Sequence, residues 1–110
     1  MTPANLEDAA SGEHFEWSEM YKEFASVARE EGFEKIAFLF DKVAAIEKEH
    51  EERFKKLISN ISKGVVFTRD GDMIWQCRNC GHIIVGKSAP EMCPVCAHPK
   101  AYFEIKAENY

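Results

Sequence analysis

Residues 33–61 read FEKIAFLFDKVAAIEKEHEERFKKLISNI, and the spacing of their apolar side chains decides the fold. Positions 33, 36, 40, 43, 47, 50, 54, 57 and 61 alternate steps of three and four, which is the repeat of an inward-facing helical seam. Glu47 and His50 interrupt this stripe of Phe33, Ile36, Phe40, Val43, Phe54, Leu57 and Ile61. Upstream, Thr2-Pro3 is a helix-start signal, because Thr can cap free amides and Pro is pre-set for the first helical position. The helical pattern that follows runs to Glu31, and Gly32 suits the left-handed cap that ends it. Its seam passes through Leu6, Glu13, Met20 and Val27, with Ala10, Trp17 and Phe24 beside it. So short a connection at Gly32 folds the two long helices into an antiparallel hairpin.

After Gly64 the period changes. Val65-Val66-Phe67, Met73-Ile74-Trp75, Ile83-Ile84-Val85 and Tyr102-Phe103-Glu104-Ile105 read as short strands, and Asp70-Gly71 is expected to turn the first onto the second. A β module this small cannot be held by its own core and needs a staple. The expected fold class is therefore α+β, with a helical hairpin over residues 1–63 and a small β module over 64–110.

Composition excludes several functions. A share of 45% hydrophobic and 30% charged residues belongs to a globular chain, not a disordered one. No apolar run has the roughly 18 residues a membrane span requires, and the first residues lack the features of a signal peptide, so a cytoplasmic protein with no membrane partner is expected. The net charge of -5 argues against nucleic acid, whose phosphates need a basic patch. Residues 1–63 carry 14 acids against 9 bases, whereas residues 64–110 carry five of each.

A carboxylate kept on an apolar seam needs a partner, because burying it unpaired costs several kcal/mol. A metal is the simplest one. At a rise of about 1.5 Å per residue, Glu13, Glu16, Glu47 and His50 lie roughly 28, 24, 22 and 27 Å from the Gly32 turn, a slab about 6 Å thick. A lone Glu-x-x-His is a weak motif, but two further carboxylates at matching depth strengthen it. The other acids, Glu51 among them, read as solvated faces interleaved with Lys and Arg, and His14 reads as a surface residue without a partner.

All four cysteines lie in the second part of the chain. Cys77-Arg78-Asn79-Cys80-Gly81 and Cys93-Pro94-Val95-Cys96 form two Cys-x-x-Cys knuckles twelve residues apart, the spacing of a tetrahedral four-thiolate metal site. Gly81 and Pro94 suit the tight turns. The ligands do not discriminate iron from zinc. His82 and His98 flank a tetrahedron that four sulfurs already fill, and Trp75, Tyr102 and Phe103 read as core aromatics of the small module.

Taken together these motifs resemble the rubrerythrin family. Gly12-Glu13-His14-Phe15-Glu16-Trp17-Ser18-Glu19-Met20-Tyr21 is similar to the third helix of that family, Glu47-Lys48-Glu49-His50 to the fourth, and residues 73–105 to its C-terminal rubredoxin-like domain. The resemblance implies a ferritin-like bundle with a di-iron centre whose ligands here are Glu13, Glu47 and His50, with Glu16 as a carboxylate that moves on or off the iron. It implies that Tyr21 hydrogen-bonds a ligand carboxylate, and that Cys77, Cys80, Cys93 and Cys96 hold a single iron. Zinc in place of either iron stays open. It further implies a peroxidase that reduces hydrogen peroxide, with electrons reaching the four-thiolate iron from an electron-donating reductase.

Two helices, however, are only half of a four-helix bundle. A carboxylate di-iron bundle takes a Glu from each of two helices and a Glu-x-x-His from each of the other two, and one hairpin supplies one of each. A homodimer about a two-fold axis would rebuild the set and cover the apolar face, its four carboxylates matching the charge of two ferrous ions. Two alternatives remain: an incomplete fragment of a rubrerythrin-like protein that acts only in electron transfer, and a zinc-ribbon interaction protein with a helical dimerisation hairpin.

Overall fold

Helix α1 (Thr2–Phe15) starts where Pro3 supplies a pre-set φ, with Met1 rather than Thr2 in the capping position and no side-chain cap. The chain continues through a π-wound segment, Glu16–Met20, into helix α2 (Tyr21–Glu30). At Gly32, φ is 83°, and the Phe33 amide bonds back to the Ala28 carbonyl at 2.8 Å while the Gly32 amide bonds to Arg29 at 3.1 Å. These two bonds close the helix in a Schellman motif, which a Cβ at position 32 would strain. Helix α3 (Glu34–Ser62) then returns antiparallel. A computed structural model describes the whole chain, residues 1–110, and divides it into two units, Met1–Ile61 and Ser62–Tyr110, against the expected 1–63 and 64–110.

Within the first unit the arms of the hairpin meet through large side chains, Glu51 with Trp17 and His14, and Phe40 with Tyr21 and Phe24. The small residues Ala10, Ala25, Ala28 and Ala37 are buried. The large seam residues behave differently: Phe24, Val27, Phe33 and Ile36 remain 44–53% exposed, with Leu57 and Ile61 close behind. In a single chain the seam is thus an open apolar face flanking the hairpin contact. Tyr21, Phe24 and Phe40 cluster there with ring centroids 5.4–6.0 Å apart.

The second unit is an antiparallel sheet of three strands in the order β2-β1-β3, where β1 is Thr68–Cys77, β2 Ile83–Ser88 and β3 Phe103–Ile105. Central Trp75 faces Ile84 on one side and Ile105 on the other. Two expectations fail here. Val65-Val66-Phe67 is not a strand, and Asp70-Gly71 makes no hairpin turn, because β1 runs straight through it. The register between β1 and β2 instead shifts between Thr68 and Met73, so the Asp-Gly pair sits in a bulge. Phe67 still contributes by packing against the core. That core is Trp75, Cys77, Ala89, Cys93 and Phe103, with the Trp75 indole donating to the Gly86 carbonyl at 2.9 Å. Two of its five buried members are cysteines, so a bound metal would sit inside the core it staples.

Candidate metal centres

The four cysteines converge through two loops of matching geometry. The Cys77 amide donates to the His82 carbonyl and the Gly81 amide to the Cys77 carbonyl, both at 2.9 Å; the Cys93 amide donates to His98 at 2.8 Å and the Ala97 amide to Cys93 at 2.9 Å. Each loop needs a left-handed residue. Gly81 supplies the first with φ 86° and Ala97 the second with φ 63°, a position that sequence reading alone does not mark because alanine does not signal it. Sγ–Sγ distances of 3.6 Å join Cys77 to Cys96 and Cys80 to Cys93. A disulfide needs about 2.05 Å, whereas sulfurs at about 2.3 Å from a central ion in a tetrahedron stand about 3.8 Å apart. The sulfurs are thus free thiols spaced for one metal ion.

The backbone also favours thiolate. The His82 amide donates to Cys80 Sγ at 3.5 Å, and the His98 amide does the same for Cys96. That bond, helped by the Asn79 side chain against the burial that opposes it, holds Cys96 down at about 5. Cys80 is pushed up to about 12: the His82 amide acts to lower it, but desolvation and the sulfurs of Cys93, Cys96 and Cys77 outweigh that bond. Without a cation the cluster cannot carry four thiolates together; a metal removes that conflict.

On the helices, Glu13, Glu47 and His50 bring ligand atoms within 4.8 Å of one another. Their placement follows from the hairpin, which sets α1 beside α3 at equal depth. His50 Nδ1 lies 3.1 Å from Glu47 Oε2 and 3.5 Å from Glu13 Oε1, so one ring nitrogen faces both carboxylates. Glu13 Oε2 is buried without a hydrogen-bond partner. A hydrogen bond to Glu47, followed by burial and the charges of Glu47 and Glu16, raises Glu13 to about 7, while that same bond and His50 lower Glu47. Two carboxylates sharing a proton beside an imidazole are a donor set that fits a divalent cation.

Glu16 stands outside that group, although its side chain bonds to Glu47 and its charge acts on Glu13. Tyr21 is packed against Phe24 and Phe40, and within the chain its hydroxyl makes no hydrogen bond to any of these acids.

One cluster beside this site went unread in the sequence. Glu51 is 5% exposed, not part of a solvated face, and His14 has a partner after all. Glu51 Oε1 accepts from Trp17 Nε1 at 2.6 Å and lies 3.1 Å from His14 Nδ1, while Oε2 pairs with Lys55 Nζ at 2.7 Å. Lys55 first, then Trp17 and His14, hold the Glu51 carboxyl down at about 2 against the cost of burial. The available signal was Trp17, an aromatic near the seam whose N–H must find an acceptor when covered.

The rubrerythrin family model matches residues 1–58, and a second model, the rubredoxin-like domain of rubrerythrin, matches residues 75–104. The chain belongs to the rubrerythrin family. Rubrerythrins from Porphyromonas gingivalis and Nitratidesulfovibrio vulgaris are 50% and 51% identical over 99% of this chain, and a putative rubrerythrin from Methanocaldococcus jannaschii is 48% identical. This rubrerythrin-family chain spans about half the length of those relatives, covering 54%, 57% and 53% of them. Nigerythrin in its partially reduced state aligns with a TM-score of 0.53 and 34% identity, over 94% of this chain and 49% of that one. Membership implies iron binding, and no helix is long and apolar enough to cross a membrane.

Proposed function

We propose that this chain is a non-haem iron peroxidase that reduces hydrogen peroxide at a carboxylate-histidine site assembled across a homodimer. The observation that carries the reading is the buried, unpartnered Glu13 Oε2 beside Glu47 and His50, a donor set that a cation would complete. Glu13, Glu47 and His50 from each of two chains would hold a pair of irons, with Glu16 as the additional carboxylate, and Cys77, Cys80, Cys93 and Cys96 would hold one more. When bound, the paired irons supply two electrons and Lewis acidity for breaking the O–O bond, and the thiolate iron relays replacement electrons from a separate reductase.

The chain's own residues supply the rest. Glu13 and Glu47 present their carboxyl groups together at the site, where bound irons would displace the proton that the metal-free pair shares. His50 presents Nδ1 to both acids and fixes their separation. Tyr21 packs against Phe24 and Phe40 on the open apolar face next to the site, and a second hairpin laid on that face would exclude water. Dimerisation is supported by the exposure of Phe24, Val27, Phe33 and Ile36 on the face where the ligand set of a single hairpin is half complete. A reducing, cytoplasmic setting suits four free thiols.

Metal analysis with an optical spectrum, on protein of measured oligomeric mass, tests the assembly: about two irons per chain in a dimer are expected. A strict monomer that still binds paired iron refutes the dimer, and a colourless protein carrying only zinc at the sulfurs refutes the peroxidase. Glu47→Ala should abolish peroxide turnover and leave the thiolate-iron bands intact; loss of both together would refute the separation of the two centres.

A further inference from the structure

Trp17 is enclosed on three sides at the height of the helical site. Its indole N–H reaches Glu51 Oε1 at 2.6 Å, Lys48 Nζ lies 5.4 Å from the ring centroid, and the His14 ring meets its edge at 5.0 Å and 79°. Trp17 directly follows Glu16 and lies within the π-wound segment Glu16–Met20, while His14 directly follows Glu13. The Glu51 oxygen that receives both is on α3, next to His50 and one turn beyond Glu47. A single buried carboxylate thus ties down the neighbours of Glu13 and Glu16 on one arm, from the turn that carries Glu47 and His50 on the other.

The tie matters because of the winding. The Tyr21 amide bonds to the Glu16 carbonyl, five residues back, and the Ser18 hydroxyl bonds to the His14 carbonyl at 2.5 Å, occupying an acceptor of the regular ladder. A π turn holds one residue more than an α turn. Relaxing it would rotate the preceding helix by about 100° and shift it by about 1.5 Å against α2, carrying Glu13 and Glu16 away from Glu47 and His50. We propose that Glu51 is a positioning residue for the helical metal site, clamping Trp17 and His14 so that the π-wound segment keeps Glu13 and Glu16 facing α3. This rests on the reading of that site as metal-binding.

The test uses the full, metal-free chain titrated with cobaltous ion, whose intense thiolate charge-transfer bands are separate from the weak bands of a carboxylate-histidine site. Helix content is followed by far-UV circular dichroism. Three variants are compared with the parent: Glu51→Gln, which keeps an acceptor for Trp17; Glu51→Leu, which removes it; and Trp17→Phe, which removes the donor but leaves the Glu51–Lys55 pair. Glu51→Leu and Trp17→Phe should weaken cobalt binding at the helices by about 10- to 100-fold, with altered ligand-field bands there and unchanged thiolate bands. Glu51→Gln should recover most of that loss. If Glu51→Leu loses its helix, Trp17→Phe decides. Parent-like cobalt affinity and ligand-field bands in Trp17→Phe overturn the clamp while leaving the metal site standing. A parent chain that takes cobalt at the thiolates alone overturns the metal reading and the clamp together.

Discussion

Removing metal should make the helical hairpin lose stability as pH rises, opposite to the usual behaviour of an acidic protein. Glu13 is raised from the ordinary 4.5 to about 7 by its bond to Glu47, by burial and by neighbouring charge. Its side chain is only 18% exposed, so water screens this poorly. A carboxyl raised in the folded state is penalised once it ionises, so the stability present below the ordinary value is lost as pH climbs through the folded one. Glu47 and Glu51 are lowered instead, so their contributions are complete above the ordinary range and vanish only in acid. Between about pH 4.5 and pH 7 the Glu13 effect therefore acts alone among the three. At about 1.4 kcal/mol per pH unit the expected loss is on the order of 3 kcal/mol. Urea unfolding of the metal-free chain, followed by helix circular dichroism at fixed protein concentration, should show the midpoint falling by roughly 1 to 3 M across that window. Glu13→Gln should flatten the dependence. Adding a divalent cation should reverse it, because metal and proton compete for the same oxygens. A metal-free chain of equal stability at both ends of the window, or an unchanged slope in Glu13→Gln, refutes the shared proton.

Two further outcomes concern the thiolate module. Ala97→Gly should stabilise it by about 0.5–1 kcal/mol, since an alanine in the left-handed region costs about 1–2 kcal/mol and glycine returns part of that as unfolded-state entropy; Ala97 is exposed, so no packing is lost, and denaturant midpoints of the metal-loaded protein provide the check. Chelation, or Cys93→Ser at a fully covered position, should unfold residues 62–110 and leave the helices intact, because a bound thiolate metal contributes on the order of 10 kcal/mol while so small a core supplies about 3–5. Amide exchange resolved by region measures this, and protected strands in the metal-free protein would contradict it.

Much of this was legible because it is local. Seam periodicity, the glycine at position 32 and the two cysteine knuckles depend on spacing along the chain, and the helices, the Schellman turn and the four converging sulfurs follow from them. Matching depth along two antiparallel helices likewise brought Glu13, Glu47 and His50 together, since rise per residue is constant. Asp70-Gly71 misled because a turn-forming pair states only what the backbone tolerates, and pairing with β2 absorbed it into a bulge. Glu51 was misread because its neighbours in sequence are charged, whereas its partners His14 and Trp17 stand 37 and 34 residues away. The π winding at Glu16–Met20 was equally hidden, being held by a contact from the opposite arm. Period and ligand spacing are properties of the chain itself; which acid is buried, which proton is shared and how a helix winds at the site depend on contacts between its distant segments, and only folding creates those.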